Sequence, residues 1–509
     1  MTRGRTAVAA AVSIAVAVAI YWLRIDDVAG LVVDDAWYIV LAKALASGEG
    51  YRLISSATAP LLPAFPPGFP ALLSSVFFVQ PSYPGNLLLL KLVSIVAMAG
   101  VGVACWTDFT RHRNVPADHA LWLTLAVVLT PAFVFLATST VMAECVFTLA
   151  QVLAVIAVER VIRQPEHDRR NALLAGAIAG AAMLIRTAGV GVVVASIAYL
   201  VLARRWRPLA IFVVTVAACL LPWQLYASAN AATPEQRIAH GGTIVYTYQD
   251  LLTMARPGSV NVTVSPVERV QRAARNVGGI VIRDVGAVIV PILFRGASES
   301  GEEVISVGPP LRGSMGSARG TMIVSTLLSL AILAGVIRAR AWFSMPALLI
   351  AASVVMISAV GAQTFRYVVP LTPFLLLFLW HGMAHPKAAR IAVLCVLGFH
   401  LVDHALYLRV KATATPDWVA DAREIDEVLT FFSDHVKEPG AVASTDPGLF
   451  YLRTGRKTVF NVFPEKNRDT WKAAGVRYIV ALRPADLPPP SFNGRVLYRT
   501  GHRLWIIEM

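Results

Sequence analysis

The sequence predicts a polytopic α-helical membrane protein of about eleven transmembrane helices, followed by a small exported α/β domain. Three observations carry that expectation. The 509 residues are 56% hydrophobic and only 15% charged, with a mean hydropathy of +0.63, too apolar for an ordinary soluble chain. Apolar stretches of roughly 18 residues or more, each able to cross about 30 Å of hydrocarbon, recur down most of the chain. Basic residues gather in alternate connections between those stretches, which is how cytoplasmic loops are marked.

In chain order the stretches run over 6–23, 86–106, 119–137, 140–162, 172–185, 188–203, 209–228, 320–337, 342–360, 367–383 and 391–409. The first follows Arg3 and Arg5 and ends in Tyr21, Trp22 and Arg24. Those three read as the interfacial anchor of a retained helix, not as the small-residue cleavage site of a signal peptide. Arg111 with Arg113, Arg163 with Arg169 and Arg170, Arg204 with Arg205 and Arg207, Arg338 with Arg340, and Lys387 with Arg390 mark the later cytoplasmic connections. The N-terminus is therefore expected in the cytoplasm, with residues 25–85, 229–319 and 410–509 outside. Because the net charge of +14 is spread over these connections, nucleic acid is not an expected partner. Cys105, Cys145, Cys219 and Cys395 all fall within apolar stretches, so the exported loops carry no disulfide framework.

Residues 172–203 are one apolar stretch with basic residues on both flanks. A single crossing breaks the charge alternation, whereas two short helices turning back at Arg186 and Thr187 preserve it. Irregular backbone and a cation at membrane depth are tolerated where they line a cavity. In the long exported loop, Val267–Leu293 alternates basic and apolar residues and reads as one helix lying on the membrane surface. The Gly-rich run from Arg312 to Gly320 reads as a mobile loop.

Past the last stretch, Pro416–Val436 reads as an amphipathic helix with Ile425, Val428, Leu429 and Phe432 on one face. Strands are expected at Ala441–Ser444, Thr458–Val462 and Val476–Leu482, with short helices ending at Gly455 and covering Asp469–Ala474. Arg495–Tyr498 and Leu504–Ile507 read as a closing hairpin. The chain thus divides into a membrane domain, 1–409, and an exported domain, 410–509.

Asp34 and Asp35 form a pair of adjacent carboxylates in the first exported loop. Ionisable groups that close to hydrocarbon are costly and by default mark a substrate path or a reaction site. The structural alternative is that both cap a helix beginning near Ala36. Glu144, Arg186 and Arg366 are expected at the same membrane face. Glu144 also suits a snorkelling carboxylate, and Arg366 beside Tyr367 an interfacial arginine. His240, ahead of Gly241 and Gly242, suits either a metal ligand or a solvated loop histidine, and no Cys/His spacing typical of a metal site occurs.

The run Asp34, Asp35, Ala36, Trp37, Tyr38, followed by Ala42, Leu45, Gly48, Gly50, Tyr51 and then Pro66, Pro67, Gly68, resembles the first exported loop of the GT-C glycosyltransferases. In particular it resembles the protein O-mannosyltransferase and lipid A aminoarabinose transferase branch. The likeness extends to Glu144 after Ser139 and Thr140, to Arg186 and Thr187, to Phe365, Arg366, Tyr367, Pro370 and Pro373, and to the exported C-terminal domain. The resemblance implies a GT-C fold in a bacterial plasma membrane. It also implies transfer of a sugar from a polyprenyl-phosphate donor to a hydroxyl of a glycan, lipid or protein acceptor at the outer face.

On that resemblance Asp34 is the catalytic base, Tyr38 holds the family's tyrosine position, and displacement inverts the anomeric carbon. Arg186 and Arg366 are the candidates to hold the departing phosphate. Asp35 and Tyr38 orient the loop or the acceptor. Glu144 orients Arg186, binds acceptor or, with an Asp, holds a divalent metal. Two departures stand out: Ala64 and Phe65 occupy the place of a Glu-Lys pair, and Trp37 that of a basic residue. An uncharged aromatic wall suits a neutral hexose or pentose. No Gly-rich phosphate loop follows a strand in the short cytoplasmic connections, which argues against a sugar-nucleotide donor. The alternative from another class is a solute transporter or lipid flippase, which places matched broken helices around a midplane site.

Overall fold

The computed structural model describes residues 3–30, 34–233, 247–253, 264–294, 318–360, 364–459, 475–482, 494–500 and 504–509. Every apolar stretch of the sequence is helical. In order, the chain forms α1 (Arg3–Arg24), α2 (Asp34–Ala46), α3 (Gly68–Val79), α4 (Leu87–His112), α5 (Ala117–Val128), α6 (Pro131–Thr138), α7 (Glu144–Arg163), α8 (Asp168–Ile185), α9 (Val190–Leu202) and α10 (Trp206–Ala229). Then follow α11 (Tyr248–Thr253), α12 (Pro266–Gly279), α13 (Val285–Ile289), α14 (Ala318–Arg338), α15 (Met345–Ala359), α16 (Phe365–Val368), α17 (Thr372–Gly382), α18 (Pro386–Thr413), α19 (Asp417–His435) and α20 (Pro447–Thr454).

Among the described residues, six helices are long and apolar enough to cross a membrane, or seven if the bent pair α5 and α6 is one span. Further apolar helices among the described residues are shorter, of 10–17 residues. Thr130 precedes Pro131, and the proline ring drives it out of the helical region, to φ −55° and ψ 122°, bending the chain by 50°. Arg186 separates the fifth and sixth stretches, with extended backbone (φ −146°, ψ 135°) before a 3₁₀ turn at Thr187–Gly189. The expected interruption at Arg186 and Thr187 is therefore present.

The span Phe365–Gly382 and helix α7 are the most enclosed, with 78% and 72% of their apolar windows buried. They form the middle of the bundle, so whatever sits at their N-terminal ends is brought together inside protein. At the opposite end of α7, Glu159 accepts from Arg113 Nη1 and Nη2 at 2.9 and 2.8 Å and also pairs with Arg163. Arg113 reaches Asp108 at 2.7 Å as well, locking α4 to α7.

The anchor expected at the end of α1 is only partly an anchor. Trp22 is exposed, but Tyr21 and Arg24 are buried. The Tyr21 hydroxyl donates to the Val128 carbonyl at 2.7 Å, and the Arg24 guanidinium lies 3.6 Å above the Tyr407 ring. Just beyond, buried Asp26 accepts from Ser139 Oγ and the Tyr407 hydroxyl, each at 2.6 Å, and from Lys411 Nζ at 2.8 Å. This nest ties the start of the first loop to α6 and α18.

The surface helix is shorter than expected. Ser265 and Glu268 close a capping box at the start of α12, whose Val267 and Val270 are exposed. Arg272 donates to the Ala359 carbonyl at 2.9 Å, and Asn276 to the Ser358 and Val360 carbonyls at 3.0 Å, satisfying groups at the end of α15. After Gly279 the chain turns through a π-helix, Ile280–Asp284, and α13 is buried against α14. The uncharged run from Val285 to Val290 belongs inside the bundle, so only the first half of Val267–Leu293 lies on the surface. Of the Gly-rich run, residues 312–317 lie outside the described residues, and residues 318–320, expected in a loop, begin α14.

The C-terminal residues build a four-stranded sheet of β1 (Ala441–Ser444), β2 (Val476–Ala481), β3 (Arg495–Thr500) and β4 (Leu504–Glu508), in the order β1-β2-β4-β3. The first pair is parallel and the other two are antiparallel. Helix α19 turns Ile425, Val428, Leu429 and Phe432 inward, as its periodicity predicts. At the strand expected from Thr458, that residue bridges both Val442 and Ser56 of the first loop. The Val459 amide donates to the Val442 carbonyl at 2.8 Å; residues 460–462 of that strand and the helix expected at Asp469–Ala474 lie outside the described residues.

Candidate active site

The two acids of the first loop face opposite ways. Successive helical residues diverge by about 100°, so when one turns inward its neighbour need not. Asp35 is fully buried and accepts the Gly30 amide at 2.7 Å and the Ala36 amide at 3.0 Å. It fastens the loop to the first turn of α2. Asp34 keeps 26% of its side chain exposed and meets Arg366, whose Nη2 lies 3.0 Å from Asp34 Oδ2.

Arg366 comes from the first turn of α16, and Glu144 is the first residue of α7. The two central helices therefore deliver one charge each to the same point. Arg366 Nη2 is also 3.1 Å from Glu144 Oε1, and its Nε is 3.3 Å away. Arg186, projected from the break between α8 and the 3₁₀ turn, pairs with the same carboxylate oxygen. Its guanidinium lies 5.3 Å over the Tyr367 ring. Side-chain exposure rises from 0% for Glu144 and 10% for Arg186 to 19% for Arg366 and 26% for Asp34. The cluster is thus a graded site, with a buried anion beneath two cations and a reachable carboxylate on top.

An aromatic layer supports it. Tyr38 sits edge-on to Phe65 and Phe69, with centroids 5.2 and 5.0 Å apart, and Trp37 sits edge-on to Phe65 at 5.5 Å. The two aromatic residues that depart from the charged family pattern are therefore in contact with each other. Burial pushes the Tyr38 phenol well above its ordinary range, so it remains protonated and is no base at neutral pH. Gly68 explains the Pro66-Pro67-Gly68 run: a Cβ there would lie 2.7 Å from the Leu184 carbonyl oxygen. Only glycine lets α3 rest on the last turn of α8, beside Arg186.

No family model matches the sequence, and no curated protein matches it. Solved structures do. ArnT from Cupriavidus metallidurans in the apo state aligns with a TM-score of 0.57 at 11% identity, over 98% of this chain and 97% of that one. The Archaeoglobus fulgidus oligosaccharyltransferase tethered to an acceptor peptide aligns at 0.54 and 12% identity, over 92% and 68%. The archaeal oligosaccharyltransferase AglB, in complex with an inhibitory peptide and a dolichol-phosphate, aligns at 0.50 and 12%, over 88% and 65%. The chain has the GT-C fold.

Within this GT-C frame, Asp34, Glu144, Arg186 and Arg366 converge although they come from four separate elements, while Asp35 and Tyr38 lie just behind them. His240 lies outside the described residues. No group of three or more His, Cys, Asp and Glu side chains converges among the described residues. Glu144 and Asp34 are joined by a guanidinium, and that donor set does not suit a divalent cation, because two arginines already neutralise both acids. Sequence reasoning missed the Thr364 hydroxyl bond to Asp284 and the Arg283–Asp284 pair at 2.8 Å. Both depend on the π-helical turn, which has no local signature in the sequence.

Proposed function

We propose that the protein is a membrane glycosyltransferase that moves a sugar from a polyprenyl-phosphate donor to an acceptor hydroxyl, with Asp34 as general base. One observation carries this: Asp34, the most exposed acid of the cluster, is held by a guanidinium that also belongs to a buried cationic pair. The GT-C fold and the dolichol-phosphate held by AglB support the lipid-phosphate donor.

The charge arithmetic favours that reaction. At rest two arginines face two carboxylates, so the formal charges cancel. As the acceptor oxygen bonds to the anomeric carbon, its proton passes to Asp34, and the carbon–oxygen bond to phosphate breaks. The electron pair leaves with the phosphate, which changes from monoanionic diester to dianionic monoester. Protonation of Asp34 releases one positive charge among Arg186, Arg366 and Glu144 at that moment. The site gains the charge that the leaving group requires, in a partly buried setting where electrostatics is strong. Attack opposite the phosphate inverts the anomeric centre.

Glu144 Oε2, Thr187 Oγ1 and Trp37 Nε1 are buried and make no hydrogen bond among the described residues. Buried polar groups of this kind are what a hydroxyl-rich ligand satisfies. The aromatic Trp37–Phe65 wall favours a neutral hexose or pentose over an amino sugar. The positive-inside pattern supports an extracytoplasmic position for this end of the bundle, and we take the membrane to be a bacterial plasma membrane.

The test is reconstitution in lipid vesicles with radiolabelled polyprenyl-phosphate hexoses and pentoses. Release of polyprenyl phosphate together with a glycosylated acceptor supports the proposal. Movement of an intact lipid or solute across the bilayer, with no glycosidic bond cleaved, would instead establish a carrier.

A further inference from the structure

The C-terminal residues pack directly on the loop that carries Asp34. Helix α20 is capped by Asp446, whose Oδ1 accepts the Leu449 amide at 3.1 Å, and it places Gly448 and Leu449 against that loop. A Cβ on Gly448 would lie 3.1 Å from both Ala36 Cβ and Trp37 Cδ1, so the backbone of α20 touches the first turn of α2. Leu449 covers Gly30, whose amide holds Asp35; a Cβ on Gly30 would be 2.7 Å from Leu449 Cδ1. Lys43, in the last turn of α2, lies 5.0 Å over the Tyr451 ring, and Arg453 lies 5.5 Å over Tyr83. Thr458 completes the grip: its amide donates to the Ser55 carbonyl at 2.9 Å, and its carbonyl accepts the Ala57 amide at 3.2 Å.

These contacts bracket the loop before, along and after α2. We propose that the C-terminal unit is a clamp that fixes the position of Asp34, with Gly448 as its positioning residue. This rests on Asp34 acting as the base. Gly448 touches no reacting atom; it acts through Ala36 and Trp37, the residues that follow Asp34 and Asp35. A reacting group must be held within about 0.5 Å of its productive place, and a displacement of about 1 Å costs on the order of 100-fold in rate. A methyl group at position 448 pushes on that turn; an isopropyl group pushes further.

The experiment uses the full chain in vesicles and reads kcat and donor KM separately. Gly448→Ala lowers kcat about tenfold and Gly448→Val about 100-fold, with donor KM unchanged. Adding Ala36→Gly to Gly448→Ala removes one of the two opposing contacts, leaving that with Trp37, and recovers part of the kcat lost relative to Ala36→Gly alone, as coupled neighbours require. Hydrogen exchange at residues 36–39 quickens in Gly448→Val. Unchanged kcat in both single variants, loss without rescue in the double variant, or unchanged exchange would overturn the clamp. Absence of any turnover by the wild-type chain strikes the proposed function instead, and the exchange measurement then decides the clamp alone.

Discussion

Arg366 joins Asp34 to Glu144 through a single nitrogen: its Nη2 stands 3.0 Å from Asp34 Oδ2 and 3.1 Å from Glu144 Oε1. Those residues are 332 and 222 positions away in sequence. The bond sets the orientation of the exposed acid and couples it to the buried one.

Replacing Arg366 with Ala therefore removes both the orientation and a cation for the leaving phosphate. We expect kcat to fall by about 10²- to 10³-fold, the usual cost of deleting one preorganised donor. Arg366→Lys should recover only a small part, because an ammonium lacks the planar guanidinium that reaches Glu144 through both Nε and Nη2 while Nη2 also meets Asp34. Steady-state rates of both variants in vesicles check this, and full activity in the lysine variant would contradict it.

Glu144 is the anion shared by two guanidiniums, and its side chain is wholly buried. Glu144→Gln leaves both cations short of charge compensation, and breaking a buried pair of this kind costs about 3–5 kcal/mol. The variant should melt at a lower temperature in detergent than Arg186→Ala, which leaves Glu144 still paired with Arg366. Arg186→Ala should instead weaken donor engagement more than acceptor engagement. Equal melting of the two variants would count against the shared-anion arrangement.

Asp35 serves the loop. Asp35→Ala takes away the carboxylate to which the Gly30 and Ala36 amides donate. The expected stability loss is about 1–3 kcal/mol, the range for a buried group deprived of its partner. Activity should decline without vanishing, and Asp35→Asn should retain more of it, since the amide oxygen still accepts. Complete loss of turnover in Asp35→Asn, with donor binding intact, would assign the chemistry to Asp35 instead.

The helical segments were legible because hydropathy is local, and the break at Arg186 because two basic flanks demanded it. Asp34 and Arg366 were legible as a shared face but not as a contact, which depends on how α2 and α16 meet. Tyr21 and Arg24 misled because an aromatic-arginine ending looks the same whether it faces the interface or a buried ring such as Tyr407. The surface helix was overextended because basic residues up to Arg283 masked the uncharged run that enters the bundle. Least legible was the grip of the C-terminal residues on the first loop. The Thr458–Ser55 hydrogen bond spans 403 residues, and no periodicity reports such a pairing.

Metal removal should leave turnover unchanged. Arg366 stands between the two carboxylates, where a bridging cation would otherwise balance them. Vesicle assays with and without a chelator test this. Loss of activity on chelation, restored by a divalent cation, would show that ligands beyond these residues complete a metal site.

The most direct measurement compares wild type with Asp34→Asn, following both donor binding and sugar transfer from a radiolabelled polyprenyl-phosphate sugar. Asparagine matches the shape of aspartate but takes up no proton. Donor binding should persist within about threefold while transfer falls by about 10²- to 10⁴-fold, the usual contribution of a positioned base. Transfer at the wild-type rate by Asp34→Asn would contradict the assignment of Asp34 as the base.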